Sequence, residues 1–362
     1  MRIVVSGMLA GVPRQGGATW AVLQYVLGLR RLGHDVRFVE PVDSLERSRA
    51  YFDHVARTYE LDATLIERTT RRCHGASRAR ATEGADLLLN LSGILADEDI
   101  LAAAGMRVFL DLDPAFTQLW FESEGIDPGF ERHDRFVTVG RAVGTPGCDV
   151  PTCGVRWLTT PQPVVLEHWP VGNGVVHAAA TSVGHWRAYG SIVHDGTHYG
   201  QRAHSLRQLI ELPGRASVSV LLALGIHPDE RDDLSLLDEH AWTLCDPGRV
   251  AGTPADYADF VRGSWAELGV AKSGYVASRC GWFSDRSVCY LASGRPVVAQ
   301  ETGFSDWLPV GEGLFAYGTV DEAVTALEEI QADYDRHRRA ARSLAEEVFD
   351  SDRVLTELLA CL

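Results

Sequence analysis

Short apolar runs alternate with amphipathic stretches along most of the chain, the pattern of strands alternating with helices in an α/β protein. Residues 2–6 predict a first strand, and residues 7–17 a loop carrying glycines at 7, 11, 16 and 17. Residues 19–32 place apolar side chains at helical spacing and stop at Gly33, a suitable C-terminal cap. Residues 35–40 predict a second strand. Further short runs of Val, Leu, Phe or Ile predict strands at 86–91, 107–112 and 135–139, with a last one near 164–167. The polar, arginine-rich stretch 40–82 predicts helix.

A proline- and glycine-rich segment, 144–170, relaxes into Val171-Gly172-Asn173-Gly174, and this predicts a division into domains 1–171 and 172–362. The second half repeats the alternation. Strands are expected at 175–182, 217–224, 240–245 and 268–272, and helices at 201–212, 256–264, 319–330 and 333–349, with the last helix free to cross back to the first domain. The first strand, glycine loop, helix and strand suit a nucleotide-binding domain, but no G-x-G-x-x-G fits the loop, which disfavours a dinucleotide.

Composition narrows the function classes. A chain of 362 residues exceeds what one hydrophobic core usually serves. No apolar run reaches the roughly 18 residues of a membrane span, and the short run at the start is followed at once by Arg14, Gln15 and glycines, so a cytoplasmic protein is expected. A net charge of -15 argues against a nucleic-acid partner, because phosphate-backbone affinity rests on clustered Lys and Arg. The seven cysteines are odd in number and scattered, and His194 and His198 are separated by Asp195-Gly196, so neither disulfides nor a metal site is expected.

The most informative segment is GWFSDRSVCYLASGRPVVAQETGF, from Gly281 to Phe304. Ser284 and Asp285 are good helix N-caps, 286–293 predicts a short helix closed by Gly294, and Pro296-Val297-Val298-Ala299 opens a buried strand. A helix N-terminus aimed into a crevice offers amides and a positive dipole end to a phosphate, and Arg286 adds forked donors. The segment resembles the donor-binding region of GT-B glycosyltransferases: Ala292-Ser293-Gly294-Arg295-Pro296-Val297-Val298 matches their A-x-G-x-P-V-V strand entry, and Cys280-Gly281-Trp282 is similar to the HCGW start of their natural-product members.

That resemblance implies two facing Rossmann-like domains, a nucleoside diphosphate sugar as co-substrate with no other cofactor, and a donor site in the second half. It places Ser284, Asp285, Arg286 and Ser287 against the diphosphate. It adds Gly16 and Gly17 from the glycine loop, Arg187, Arg202 and Lys272 as phosphate-gripping cations, and Glu301, Thr302, Gly303 and Phe304 at the sugar. The family's ribose-binding glutamate falls on Cys289, and a thiol cannot replace a carboxylate there, so either another acid such as Asp285 or Glu267 takes that role or the nucleotide is held mainly by backbone. No acidic cluster lies beside the expected phosphates, which implies a metal-independent enzyme.

For the acceptor, a small molecule is expected, and Asp113 is the first candidate for a general base, with Asp111 beside it at the end of a first-half strand. The function expected from all this is sugar transfer, hexosyl or pentosyl, to a small acceptor such as a natural product. A nucleotide-sugar epimerase on the same fold and a non-catalytic nucleotide-sugar-binding protein are the alternatives.

Overall fold

The computed structural model describes residues 1–362. Two sheets organise it. The first has the order β4-β3-β2-β1-β5-β6-β7-β8 and is formed by β1 (Arg2–Ser6), β2 (Asp35–Val42), β3 (Ala63–Glu67), β4 (Cys73–Gly75), β5 (Ala85–Leu91), β6 (Ala104–Asp111), β7 (Arg135–Thr138) and β8 (Trp157–Thr159). Only β4 runs antiparallel, against β3.

The second sheet is parallel, in the order β13-β12-β9-β14-β15-β16: β9 (His177–His185), β12 (Ser219–Gly225), β13 (Thr243–Leu244), β14 (Ser264–Gly269), β15 (Val297–Gln300) and β16 (Leu314–Tyr317). Between β9 and β12 an antiparallel hairpin intervenes, β10 (Ile192–His194) and β11 (Thr197–Tyr199). Parallel strands covered by helices on both faces read as continuous apolar runs rather than alternations, which is why β5 and β15 are legible.

Several expectations are corrected. The stretch 40–82 is not wholly helical: it holds two helices, Leu45–Thr58 and the short Arg78–Thr82, with β3 and β4 between them, both short and flanked by arginines. Residues 164–167 form no strand; Val164 makes a single bridge to Asp350 and a 3-10 turn follows at Leu166–His168. β14 begins four residues before the expected strand, because the preceding helix Pro254–Gly263 is capped early by Thr253 with Pro254 at its first position. The hairpin β10–β11 escaped notice, since its histidines and glycines carry no apolar alternation.

The lobes are joined in three places. Residues 160–176 connect the sheets, and there Arg295 donates to the Gly174 carbonyl, Arg338 to Gly172 and Arg342 to Trp169. The C-terminal helix, Ser351–Cys361, returns to the first helix, Gly16–Arg31, where Arg31 forms a two-pronged pair with Asp352 at 3.0 Å. A shared apolar seam completes the joint: Phe109, Phe116, Leu119 and Trp157 of the first lobe pack with Ile192, Tyr199, Ala271 and Tyr275 of the second. No helix is long and apolar enough to cross a membrane.

Candidate functional site

The carboxyl ends of both sets of parallel strands face the gap between the lobes, where ligands of open parallel sheets bind. Two adjoining cavities fill it, of about 190 and about 380 Å³, and they share Gln15, Ala18, Gly184, His185, Asp285 and Arg286 as walls. The smaller is completed by Gly16, Gly17, Pro247, Ala251 and Tyr257, and the larger by Met8, Ser92, Asp113, Arg202, Lys272 and Trp282.

Two helices point their N-termini into this space. The helix Asp285–Ala292 starts on Ser284, whose hydroxyl accepts from the Arg286 amide at 3.2 Å. The helix Gly16–Arg31 has no side-chain cap and no acid in its first turn, so part of its amide set stays open. Both of its leading glycines are required by close approach: a side chain at Gly16 would collide with the Thr253 carbonyl, and one at Gly17 would stand 2.9 Å from the Tyr257 ring. The Gly16 amide itself donates to the Ala251 carbonyl at 2.8 Å, which fixes the glycine loop to the opposite lobe.

Arg286 is nearly buried and donates from Nε to Glu267 Oε1 at 2.5 Å and from Nη1 to the Val183 carbonyl at 3.1 Å. Burial works against its charge, but the fully buried Glu267 beside it outweighs that and raises its pKa. Arg202 donates to the carbonyls of Val270 at 2.9 Å and His185 at 2.8 Å, and burial together with Arg286 lowers its pKa to about 9. Asp285 is pushed up by burial, against the pull of Arg286 and the helix amides.

Across the gap, Asp113 follows β6 and is gripped from the other lobe. Lys272 Nζ lies 3.0 Å from both of its oxygens, Tyr189 donates to one at 2.5 Å and Tyr275 donates to the other. The ammonium also sits 4.2 Å from the Tyr189 ring centroid. Burial lowers the Lys272 pKa and Asp113 opposes that shift. Two residues behind Asp113, Ala115 takes φ 70, and Ser92 on the neighbouring loop takes φ 53, both unusual outside glycine. Such backbone is held in place only where its surroundings over-determine it.

The expected site residues divide. Gly16, Gly17, Arg202, Lys272, Ser284, Asp285, Arg286 and Asp113 meet at the cavities. Asp111 does not: it is fully buried, accepts from Thr117 at 2.7 Å, Thr138 at 2.8 Å and Gln118 at 2.9 Å, and burial raises its pKa against those bonds. It fastens the end of β6 and cannot meet an acceptor.

Arg187 is also elsewhere: it lies beyond the end of β9, lines neither cavity and pairs with Glu230 at 2.6 Å. Ser287 is buried behind the helix start. Glu301, Thr302 and Gly303 form a loop that braces 281–283: Glu301 accepts from the Gly303 amide, Thr302 donates to the Trp282 carbonyl, and Gly303 needs φ 91 under the Arg279 carbonyl. Phe304 packs on Phe283 at 5.2 Å. Glu267, spent on Arg286, is not available to a ribose, which leaves Asp285 or the backbone; Cys289 faces Gln24 of the first helix and lines neither cavity.

Sequence reasoning missed His185, Gln15, Tyr189, Tyr275 and Trp282. His185 had a readable signal, because it ends β9 on the same face as Val183, whereas Arg187 lies beyond the strand. Tyr189 and Tyr275 had none, since their partner is more than 75 positions away.

Neither a sequence-family model nor a curated protein matches the chain. Solved structures do match over its whole length. HepE from Anabaena, in complex with UDP and glucose, is 12% identical with a TM-score of 0.59 and 100% of both chains covered. An alpha-glucosyltransferase in complex with UDP and a 13-mer DNA containing an HMU base is 12% identical with a TM-score of 0.66, over 99% of this chain and 98% of that one. Sucrose-phosphate synthase from Thermosynechococcus elongatus is 10% identical with a TM-score of 0.55, over 100% and 98%.

The DNA in the second of these corrects the expectation that nucleic acid is excluded: on this fold a DNA complex exists, and net charge of the whole chain does not decide what a local surface binds. With two sheets, parallel but for the edge strand β4, facing one another across a cleft, and these likenesses over the full chain, the protein has the GT-B fold.

Proposed function

We propose that the protein is a glycosyltransferase that takes a hexose or pentose from a uridine or deoxythymidine diphosphate sugar and passes it to a hydroxyl of a small acceptor. One observation carries this reading: the N-termini of Gly16–Arg31 and Asp285–Ala292 open on one cavity system together with Arg202, Arg286 and Lys272. Open amides at positive dipole ends favour a pyrophosphate. As the glycosidic bond breaks, negative charge grows on the leaving phosphate, so donors fixed beforehand favour the transition state over the ground state. These cations belong to the chain, and the reading assigns the phosphate charge to them rather than to a metal.

The smaller cavity, walled by Gly16, Gly17, Pro247 and Ala251, suits the nucleoside, with Asp285 as acceptor for the ribose hydroxyls. The larger takes the sugar and the acceptor, which approaches Asp113 past Met8, Ser92 and Leu112. The fold likeness to proteins crystallised with UDP and UDP-glucose supports the donor class.

The experiment is incubation with UDP-glucose and with dTDP-glucose, with and without a panel of hydroxyl acceptors, following nucleoside diphosphate and sugar products. Acceptor-dependent release of the diphosphate with a new glycoside is expected. An isomerised nucleotide sugar without acceptor would replace the reading with epimerisation, and binding without turnover on any acceptor would replace it with a binding protein.

A further inference from the structure

His185 ends β9 on the wall common to both cavities, with its ring open to the cleft. Its carbonyl is engaged by Arg202, but neither ring nitrogen bonds to any protein group. The charged groups around it are Arg202, which has no acid partner, and Lys272 and Arg286, which are paired with Asp113 and with the buried Glu267. Arg202 comes from the helix Arg202–Gln208, Lys272 follows β14, and Arg286 comes from the helix Asp285–Ala292. Of the acids on the same walls, Asp113 is matched by Lys272, and Asp285 stands beside Arg286. Gly225 of the neighbouring strand β12 brings no charge, and the ring would stand 3.0 Å from a side chain there, so the imidazole is confined on that side.

While the cavity is empty the surroundings oppose protonation of this imidazole: burial, then Arg202 and Lys272, lower its pKa. A diphosphate in the same space reverses the field, since an opposite charge within about 4–6 Å favours the protonated ring. Resting on the donor reading above, we propose that His185 takes one proton from solvent as a nucleoside diphosphate sugar binds, holds the bound phosphates as an imidazolium, and returns that proton when the nucleotide leaves. The balance is closed: one proton moves from water to a ring nitrogen on binding and back on release. A site that must release a charged product gains from this, because the added positive charge lasts only as long as the phosphates do.

The test uses UDP-glucose, whose diphosphate has no further proton to lose near neutral pH, with the full-length protein. Calorimetric titration at pH 7 in buffers of different ionisation enthalpy reads the protons taken up, and affinity is measured from pH 6 to 8.5. Expected are net uptake approaching one proton and affinity that falls as pH rises, by up to tenfold per unit. In His185→Gln and His185→Asn uptake vanishes, the pH slope flattens, and the deficit against the unaltered protein is largest at pH 6.

Binding without uptake in the unaltered protein overturns the inference and leaves the donor reading standing, with no dependence on how the variants fold. Uptake that persists in a folded variant also overturns it, and points to Glu40, which holds the glycine loop and is pushed up to about 7 by burial. Failure of UDP-glucose and dTDP-glucose to bind at every pH overturns the donor reading and the inference with it.

Discussion

The two walls of the cleft are built in different ways. On the second-sheet side, the helix Asp285–Ala292, its cap Ser284 and the strand β15 follow one another within a few residues, and the Arg286–Glu267 pair that stiffens them is buried. On the first-sheet side nothing so local exists: Asp113 is held by Lys272, Tyr189 and Tyr275 of the other lobe, and the glycine loop is pinned by Ala251. A wall made of consecutive residues is set by capping and helix geometry. A wall made across the cleft is set by how the lobes close.

That contrast explains what was legible. The strand–helix alternation, the helix start at Ser284 and the opening of its first turn onto the cleft follow from local rules. Arg187 and Arg202 are equivalent as strings, and only tertiary contacts separate them: one pairs with Glu230, the other lines the cleft. Asp111 and Asp113 were rightly placed at the end of one strand, but side-chain alternation cannot tell which of two acids is sealed by Thr117, Gln118 and Thr138. The hairpin β10–β11, which brings Ile192 and Tyr199 to the seam, has no composition signal.

The largest effect is expected at the local wall. Arg286→Met leaves Glu267 buried without its partner, which costs about 3–5 kcal/mol of stability. Urea unfolding should show that loss, with much of it recovered in Arg286→Met combined with Glu267→Leu; a single-variant loss under about 1 kcal/mol would show the pair is not the brace described. Across the cleft, Lys272→Met should cut turnover by about 100-fold, roughly 2.7 kcal/mol of transition-state stabilisation, measured at saturating donor. Unchanged turnover would remove Lys272 from the phosphate site.

Smaller effects sharpen the comparison. Tyr189→Phe deletes one hydroxyl bond to Asp113 and should cost about 1 kcal/mol of stability, read as a lower urea midpoint at constant slope. Glu40 holds the glycine loop through the amides of Ala10 at 2.8 Å and Gly11 at 2.6 Å, and burial pushes it up to about 7 from 4.5. A carboxyl raised in the folded state binds its proton more tightly there, so its contribution is complete below the unfolded value and is lost as pH rises through about 7. Melting temperature should therefore fall between pH 5 and 7.5, less steeply in Glu40→Gln; parallel profiles would reject Glu40 as the source. Arg187→Ala, beyond the end of β9 and paired with Glu230, should leave UDP-glucose affinity as it is, and a tenfold loss would return it to the donor site.

The central claim is that two helix N-termini and the cations between them receive a sugar nucleotide's diphosphate. Thermal denaturation with increasing UDP-glucose tests it most directly, in the unaltered protein and in Arg202→Gln. At about a hundred times its dissociation constant the ligand should add roughly 2.7 kcal/mol to the unaltered protein, and the variant should need a far higher concentration for the same gain. Equal stabilisation of both proteins, or none of either by any nucleoside diphosphate sugar, would contradict the account.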